Sequence, residues 1–326
     1  MKKLAVVALG GNALLRGDQA GTIEEQEQNT TNTLENLVFL IKQGYDLVLS
    51  HGNGPQVGNI LMRNDAGESQ YQIPQMPLDI CVADSQGGIG YMIERMLRNI
   101  LKKHNIDKEV VTLVTAVIIE KDDPAFSNPT KRVGKMYTKA EADELHLKKG
   151  WVFKSSPKAD DAWRRVVPSP KPIQIINEKV VESLARQGVI TIAVGGGGIP
   201  VFYDEEGNVR ASEAVIDKDL ASSLLAARIK ADEFYVLTDV SYVYKNYNSP
   251  DQEVLEFLNY KDTRKYLDNG EFGEGSMAPK VRACLQFIEQ GGQKAIITEA
   301  FKLQDKSYGT KITMDYEPGD ILSSKR

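Results

Sequence analysis

Short apolar runs that end in glycine-rich turns constrain this 326-residue chain more than any other feature. Leu4-Ala5-Val6-Val7-Ala8-Leu9 leads into Gly10-Gly11-Asn12-Ala13. Residues 46–50 lead into His51-Gly52-Asn53-Gly54-Pro55, and residues 189–194 into Gly195-Gly196-Gly197-Gly198. The runs are apolar almost throughout rather than alternating, as strands are when a parallel sheet is covered on both faces. Residues 110–117, Glu233–Thr238 and 294–298 read the same way. Helical stretches fall between them at 22–43 (ending at Gly44), 84–104, 176–187 (ending at Gly188), 217–227 and 278–290. Strand, helix, strand in repetition requires right-handed crossovers and predicts an α/β, doubly wound sheet.

Residues 120–172 break this rhythm. They are rich in Pro, Lys and Asp and too long for a plain loop, so they are expected to form a small protruding subdomain, a candidate lid, inserted in a domain spanning 1–316. The polar, aperiodic stretch 317–326 reads as a loose tail. Hydrophobic residues at 41% and charged residues at 26% are ordinary for a globular chain, which permits a sizeable core. The formal net charge is −5 with Lys and Arg dispersed, which argues against nucleic acid or an anionic membrane as the main partner. A phosphate-handling protein of this charge must hold its positive groups locally, in a site. Cys81 and Cys284 lie far apart in apolar contexts and read as reduced, buried thiols. The N-terminal apolar run is too short for a signal sequence and no stretch is long enough to cross a membrane, so a cytoplasmic protein is expected.

The glycine turns carry the chemistry. In open parallel sheets ligands bind beyond the carboxyl ends of the strands. Glycine there lets backbone N–H groups approach an anion, and the helix that follows adds its partial positive charge. Asn12 and Asn53 can donate amide hydrogens to the same anion. One such turn could be a tight turn only; three, one with four consecutive glycines, favour anion binding. The spacing does not fit the dinucleotide fingerprint, and neither the Walker A pattern nor the protein-kinase signatures occur.

Two further clusters stand out. In Asp217-Lys218-Asp219, two carboxylates flank one lysine just before a helix. Asp217 can be an N-cap, or it can serve a cation. Lys218 opposes the helix dipole, which is reasonable if it meets a phosphate. In Gly275-Ser276-Met277-Ala278-Pro279-Lys280, a glycine loop precedes a lysine in a first helical turn; alone, Lys280 reads as a surface residue. Thr238-Asp239, closing a strand, is a natural wall for a nucleotide. His51 precedes a glycine turn and is a candidate substrate contact; His104 and His146 read as surface residues.

Together, Ala8-Leu9-Gly10-Gly11-Asn12-Ala13, Gly52-Asn53-Gly54-Pro55-Gln56-Val57-Gly58, Val215-Ile216-Asp217-Lys218-Asp219 and Gly275-Ser276-Met277-Ala278-Pro279-Lys280 resemble carbamate kinase. Ser85-Gln86-Gly87-Gly88-Ile89-Gly90-Tyr91, Asn128-Pro129-Thr130-Lys131 and Val167-Pro168-Ser169-Pro170 support the resemblance, which covers about residues 4–314. The wider amino-acid-kinase superfamily usually has a lysine just before the first glycine pair, where this chain has Ala8. In the carbamate kinase branch a subdomain lysine, here Lys131, is thought to substitute.

The resemblance implies a three-layer αβα sandwich around a mostly parallel sheet of about eight strands, and a homodimer. It implies reversible phosphoryl transfer between ATP plus carbamate and ADP plus carbamoyl phosphate with Mg²⁺, often ATP-forming in arginine breakdown. Under this reading Gly10, Gly11, Asn12, Gly52, Asn53 and Gly54 hold the phosphoryl group and acceptor. Lys131, Lys218 and Lys280 neutralise charge and Asp219 orients the lysines. Gly196, Gly197, Thr238, Asp239, Met277 and Lys280 meet the nucleotide, and Asp217 helps place Mg²⁺. Rival readings are a kinase of the same superfamily with another small acid as acceptor, a non-catalytic nucleotide-binding regulator, and a dehydrogenase, whose cofactor fingerprint is missing.

Overall fold

The computed structural model describes residues 2–156, 162–305 and 308–315, so the expected tail at 317–326 lies outside the described residues. Strands β1 (Leu4–Leu9) and β2 (Asp46–His51) sit at the centre of an eight-stranded sheet. Its order is Phe257–Asn259, Thr310–Thr313, Lys294–Glu299, Glu233–Thr238, β1, β2, Ile190–Ile192, Val110–Thr112. From Lys294–Glu299 to Val110–Thr112 every pairing is parallel; Thr310–Thr313 runs antiparallel to its neighbour Lys294–Glu299.

Among the described residues eight α-helices follow in chain order: α1 Ile23–Lys42, α2 Gly54–Tyr71, α3 Leu78–Lys103, α4 Lys139–Lys149, α5 Glu178–Arg186, α6 Lys218–Arg228, α7 Tyr260–Asp268 and α8 Met277–Glu289. β1 shows why the sheet needs helices on both sides. Its alternate residues Leu4, Val6 and Ala8 pack with Phe234, Leu224, Leu225 and Phe287. Ala5, Val7 and Leu9 point the other way, against Leu34, Leu37, Ile93 and Leu97. Successive side chains of a strand face opposite sides, so a run that is buried throughout needs two apolar layers. The result is the three-layer αβα architecture.

Local signals set the helix ends. Thr22 and Glu25 form a reciprocal capping box at the start of α1, and Gly44, at φ 84°, ends the turn after it. α3 begins at Leu78, before the expected residue 84, because Leu78, Cys81 and Val82 pack in a separate apolar cluster with Val57, Val133 and Val167. Gly90 lets α3 approach the sheet edge: a Cβ there would lie 2.2 Å from Thr112 Cγ2.

The strand expected at 110–117 is two strands. Val110–Thr112 ends the main sheet, whereas Ala116–Ile118 enters a second sheet with Ile199–Tyr203, Val209–Ala211 and Gln174–Ile175. The break falls at Thr115, whose N–H donates to Gln86 Oε1 (2.7 Å) and whose carbonyl accepts from Gln86 Nε2 (3.1 Å). The Gln86 side chain thus satisfies the Thr115 N–H that a continuous strand would have paired in the ladder, while the Thr115 carbonyl also accepts from the Ile199 N–H of the second sheet at 2.9 Å.

Between Ala116–Ile118 and Gln174–Ile175 the chain builds a three-stranded antiparallel sheet, Lys131–Tyr137, Trp163–Val167 and Val152–Ser155, with α4 beside it. Val133 and Val167 anchor it to α2 and α3 through the Val57 cluster.

Candidate active site

β1, β2, Ile190–Ile192 and Glu233–Thr238 are parallel, so their carboxyl ends open on one edge of the sheet. A cleft of about 1030 Å³ lies there. The turn after β1, Gly10 with the 3₁₀ turn Gly11–Ala13, forms one wall; the side chain of Asn12 lies outside the described residues. Gly10 has no room for a side chain, since a Cβ would sit 2.6 Å from the Leu237 carbonyl. The turn after β2, Gly52-Asn53-Gly54, forms the next wall and opens α2. Asn53 precedes the helix without a side-chain cap, which leaves the 18-residue helix dipole directed at the cleft. Asn53 Nδ2 donates to Ser85 Oγ at 2.8 Å, which fixes the amide.

The four-glycine run acts through close packing. Gly196, Gly197 and Gly198 have φ of 66°, 95° and 88°, where residues with a Cβ are strained. A Cβ on Gly196 would fall 2.2 Å from Asn53 Nδ2, and one on Gly197 2.4 Å from the Ile216 carbonyl. The run thus holds the Asn53 turn and the start of α6 against one another. Gly196 lines the cleft, whereas Gly197 is buried beneath the Ile216–Asp217 backbone.

Lys131, Lys218 and Lys280 come from three distant parts of the chain and line this one cleft. Lys218 Nζ donates to Asp219 Oδ1 at 2.5 Å and Lys280 Nζ to Asp219 Oδ2 at 3.1 Å. Lys131, at the start of its strand in the three-stranded sheet, reaches Asp217 Oδ2 at 3.4 Å. Asp217 Oδ1 meanwhile accepts from the Asp219 and Leu220 N–H groups, so Asp217 caps α6 and contacts a cation at once.

Lys218 in the first turn of α6 opposes the helix dipole by about 0.3–1 kcal/mol. A hydrogen bond to a charged group contributes about 1.5–3 kcal/mol, so the bond to Asp219 outweighs that penalty. The Asp219 side chain is only 5% exposed. Burial alone would raise its pKa, but Lys218 and Lys280 outweigh burial and hold the carboxyl below the usual range. Asp219 therefore remains an anion that parks two ammonium groups beside the cleft.

His51 does not face the cleft. It is buried, its Nδ1 lies 2.9 Å from the Gly52 carbonyl, and a Cβ on Gly195 would be 2.4 Å from its Nε2. Burial holds its pKa down to about 4, so it is a neutral packing group under the glycine turns. Cys81 and Cys284 are buried free thiols; burial pushes Cys81 up to about 11 and raises Cys284 as well, so neither is an activated nucleophile.

Thr238, Asp239 and Met277 line the same cleft, and Thr238 Oγ1 donates to Asp239 Oδ1 at 3.1 Å. Tyr244 and Phe272 line it too. Both were missed in the sequence, where the only signal is an aromatic residue shortly after a strand or before the Gly275 loop. Among the described residues, no group of three or more His, Cys, Asp or Glu gathers to cage a metal ion. Asp217 lines the cleft and keeps Oδ2 clear of the backbone N–H groups that its Oδ1 caps, in contact with Lys131. That donor set fits an Mg²⁺ ion carried largely by phosphate oxygens and water.

The Amino acid kinase family matches residues 3–299. A carbamate kinase of Pyrococcus furiosus is 46% identical over 93% of this chain and 95% of its own length. Carbamate kinase 1 of Enterococcus faecium is 45% identical over 96% of this chain and 100% of its own. The solved structure of the Giardia lamblia carbamate kinase bound to AMP-PNP superposes with a TM-score of 0.91 at 39% identity, covering 96% of this chain and 99% of that one. With three lysines and the glycine turns of two central strands gathered at one sheet edge, the chain belongs to the amino acid kinase family and, within it, groups with the carbamate kinases.

Proposed function

We propose that this phosphotransferase moves a phosphoryl group reversibly between ATP plus carbamate and ADP plus carbamoyl phosphate. The convergence of Lys131, Lys218 and Lys280 on one cleft carries the reading. Phosphoryl transfer depends on alignment and charge neutralisation more than on covalent help from the protein. In the ATP-forming direction a β-phosphate oxygen of ADP bonds to phosphorus while the bond to the carbamoyl oxygen breaks and carbamate leaves.

The backbone N–H groups of Gly10, Gly11, Gly52 and Gly54, with the Asn53 amide, hold the acceptor and the moving group; Asn12 is assigned the same role. Lys218 neutralises the equatorial oxygens. Lys280 meets the nucleotide phosphates and Lys131 closes from the subdomain on the carbamate side. Asp219 releases its two lysines toward phosphate while fixing their approach. Thr238, Asp239, Gly196 and Met277 border the adenosine. Mg²⁺, when bound, neutralises phosphate charge, and Asp217 would hold it beside the phosphates.

A homodimer, a cytoplasmic location and ATP formation during arginine catabolism complete the reading, supported by the likeness to carbamate kinases. A coupled assay of ATP formation from ADP and carbamoyl phosphate, with and without Mg²⁺ and with acetyl phosphate as competitor substrate, tests it. Mg²⁺-dependent ATP formation from carbamoyl phosphate is expected. Turnover with acetyl phosphate alone would move the chain to another acceptor.

A further inference from the structure

Lys131 is useful only where its three-stranded sheet holds it, and one charged contact that ties this sheet to the rest of the molecule involves Arg165 and Glu213. Arg165, on the central strand of the three-stranded sheet, has a side chain only 9% exposed. Its Nη2 donates to Glu213 Oε2 at 2.5 Å, and its guanidinium sits 3.9 Å from the centre of the Trp151 ring. Arg165 pairs with Val133 across the sheet, and Lys131 with Val167, so the two side chains share one rigid ladder. Glu213 has a second bond: its Oε1 accepts the N–H of Leu78, the first residue of α3, which Pro77 leaves without a side-chain cap. Glu213 also stands in the segment that runs into Asp217. Along that segment the Val215 N–H donates to the Pro168 carbonyl at 3.0 Å.

We propose that Glu213 and Arg165 are positioning residues for phosphoryl transfer: their ion pair locks the subdomain to α3 and to the Asp217 segment so that Lys131 meets the reacting groups. The argument is one of connected geometry. Starting at Lys131, the path crosses the strand pair to Arg165, passes through Glu213, and returns along four residues of chain to Asp217, the partner of Lys131 in the cleft. Bidentate use of the Glu213 carboxylate joins three elements at one point. Arg165 is buried whereas the Glu213 side chain is 55% exposed, so loss of the anion leaves a desolvated guanidinium against the Trp151 ring and favours movement of the strand toward water. A second polar tie, from Tyr137 Oη to Asp65 Oδ2 at 3.2 Å, holds the far end of the Lys131 strand to α2, while at the Arg165 end the Glu213 ion pair adds a directional, charged contact to the apolar packing of Val133 and Val167.

The inference rests on the proposed kinase reading, and the test separates the two. Wild-type ATP formation from carbamoyl phosphate comes first; its absence refutes the function, not the lock. Glu213→Gln keeps an acceptor for the Leu78 N–H but removes the anion. It is expected to lower kcat about tenfold, with the KM for ADP changed less than about twofold. In a Lys131→Met background the same change is expected to cost less than about twofold in kcat, because the group it positions is gone. Equal fold losses in both backgrounds would overturn the proposal and leave a general structural role. Should Lys131→Met leave turnover too low to compare, Trp163→Phe makes Trp151 the sole indole, and its fluorescence decides the matter. A Trp151 signal unchanged by Glu213→Gln refutes the lock; a shifted signal together with the kcat-specific loss supports it.

Discussion

Replacing Asp219 with Asn removes the anion that two lysines share while keeping the size of the side chain. The two ion pairs, at 2.5 and 3.1 Å, surround a side chain only 5% exposed. Removing one partner of a buried pair costs about 3–5 kcal/mol, because the remaining charge is left uncompensated. The lysines, 14% and 18% exposed, reach the cleft and some water, which favours the lower end of that range. Unfolding entropy is about 2.1 cal/mol/K per residue, or about 0.7 kcal/mol/K for 326 residues, so Tm should fall by roughly 4–7 °C. ADP should restore more of the loss in the variant than it adds to the wild type, since phosphate oxygens supply the missing anion. The pH dependence gives an independent sign. The folded pKa of Asp219 is depressed, so its stabilisation is full above the unfolded value of about 3.9 and is lost as pH falls through the folded value. The variant should lack that acid-side loss. Differential scanning fluorimetry across pH, with and without ADP, measures all three effects. An unchanged Tm, or an identical acid slope in both proteins, would refute the reasoning.

Other consequences are as direct. Lys131→Met should lower kcat by on the order of 10²-fold while leaving ADP affinity within about twofold, measurable by steady-state kinetics and calorimetry. Gly90→Ala should destabilise by about 1–3 kcal/mol in urea unfolding, because the new methyl would meet Thr112 Cγ2 at 2.2 Å in a packed interface. His51 is held neutral with a pKa near 4 against about 6.5 when unfolded. The unfolded chain therefore binds the extra proton first, and stability should decline by about 3 kcal/mol as pH falls from 6.5 to 4. His51→Gln should flatten that window in unfolding measurements.

Much of the sheet was legible because burial on both faces leaves an uninterrupted apolar run. β1, β2 and Glu233–Thr238 carry that mark; the glycine turns after β1 and β2 and the Thr238-Asp239 end of the third strand lie at the cleft. α2 was not legible: it contains three glycines and many polar residues, and Val57 is its only fully buried residue. Its register is set by the Asn53 turn and by tertiary contacts rather than by an apolar stripe. Residues 110–117 looked like one strand because nothing in the run itself announces that Gln86 will pair with the Thr115 N–H and that the chain then turns to a second sheet. The glycine run 195–198 was rightly marked as special, but half of its reason is the close approach of Asn53 and Ile216. Lys218 carried its own signal, a cation against the helix dipole. The meeting of Lys131 with Asp217, 86 residues apart, had no local trace; the family resemblance supplied Lys131 as a site residue but not this contact. Glu213 and Arg165 left none either, since an ion pair between distant segments has no periodicity.

Single-turnover transfer from carbamoyl phosphate to enzyme-bound ADP, followed by rapid quench for wild type and for Lys218→Ala, reads the chemical step without product release. If distant ammonium groups stabilise one migrating phosphoryl unit, the variant should bind ADP yet form ATP at least about 10²-fold more slowly. A rate within a few-fold of wild type would contradict the account.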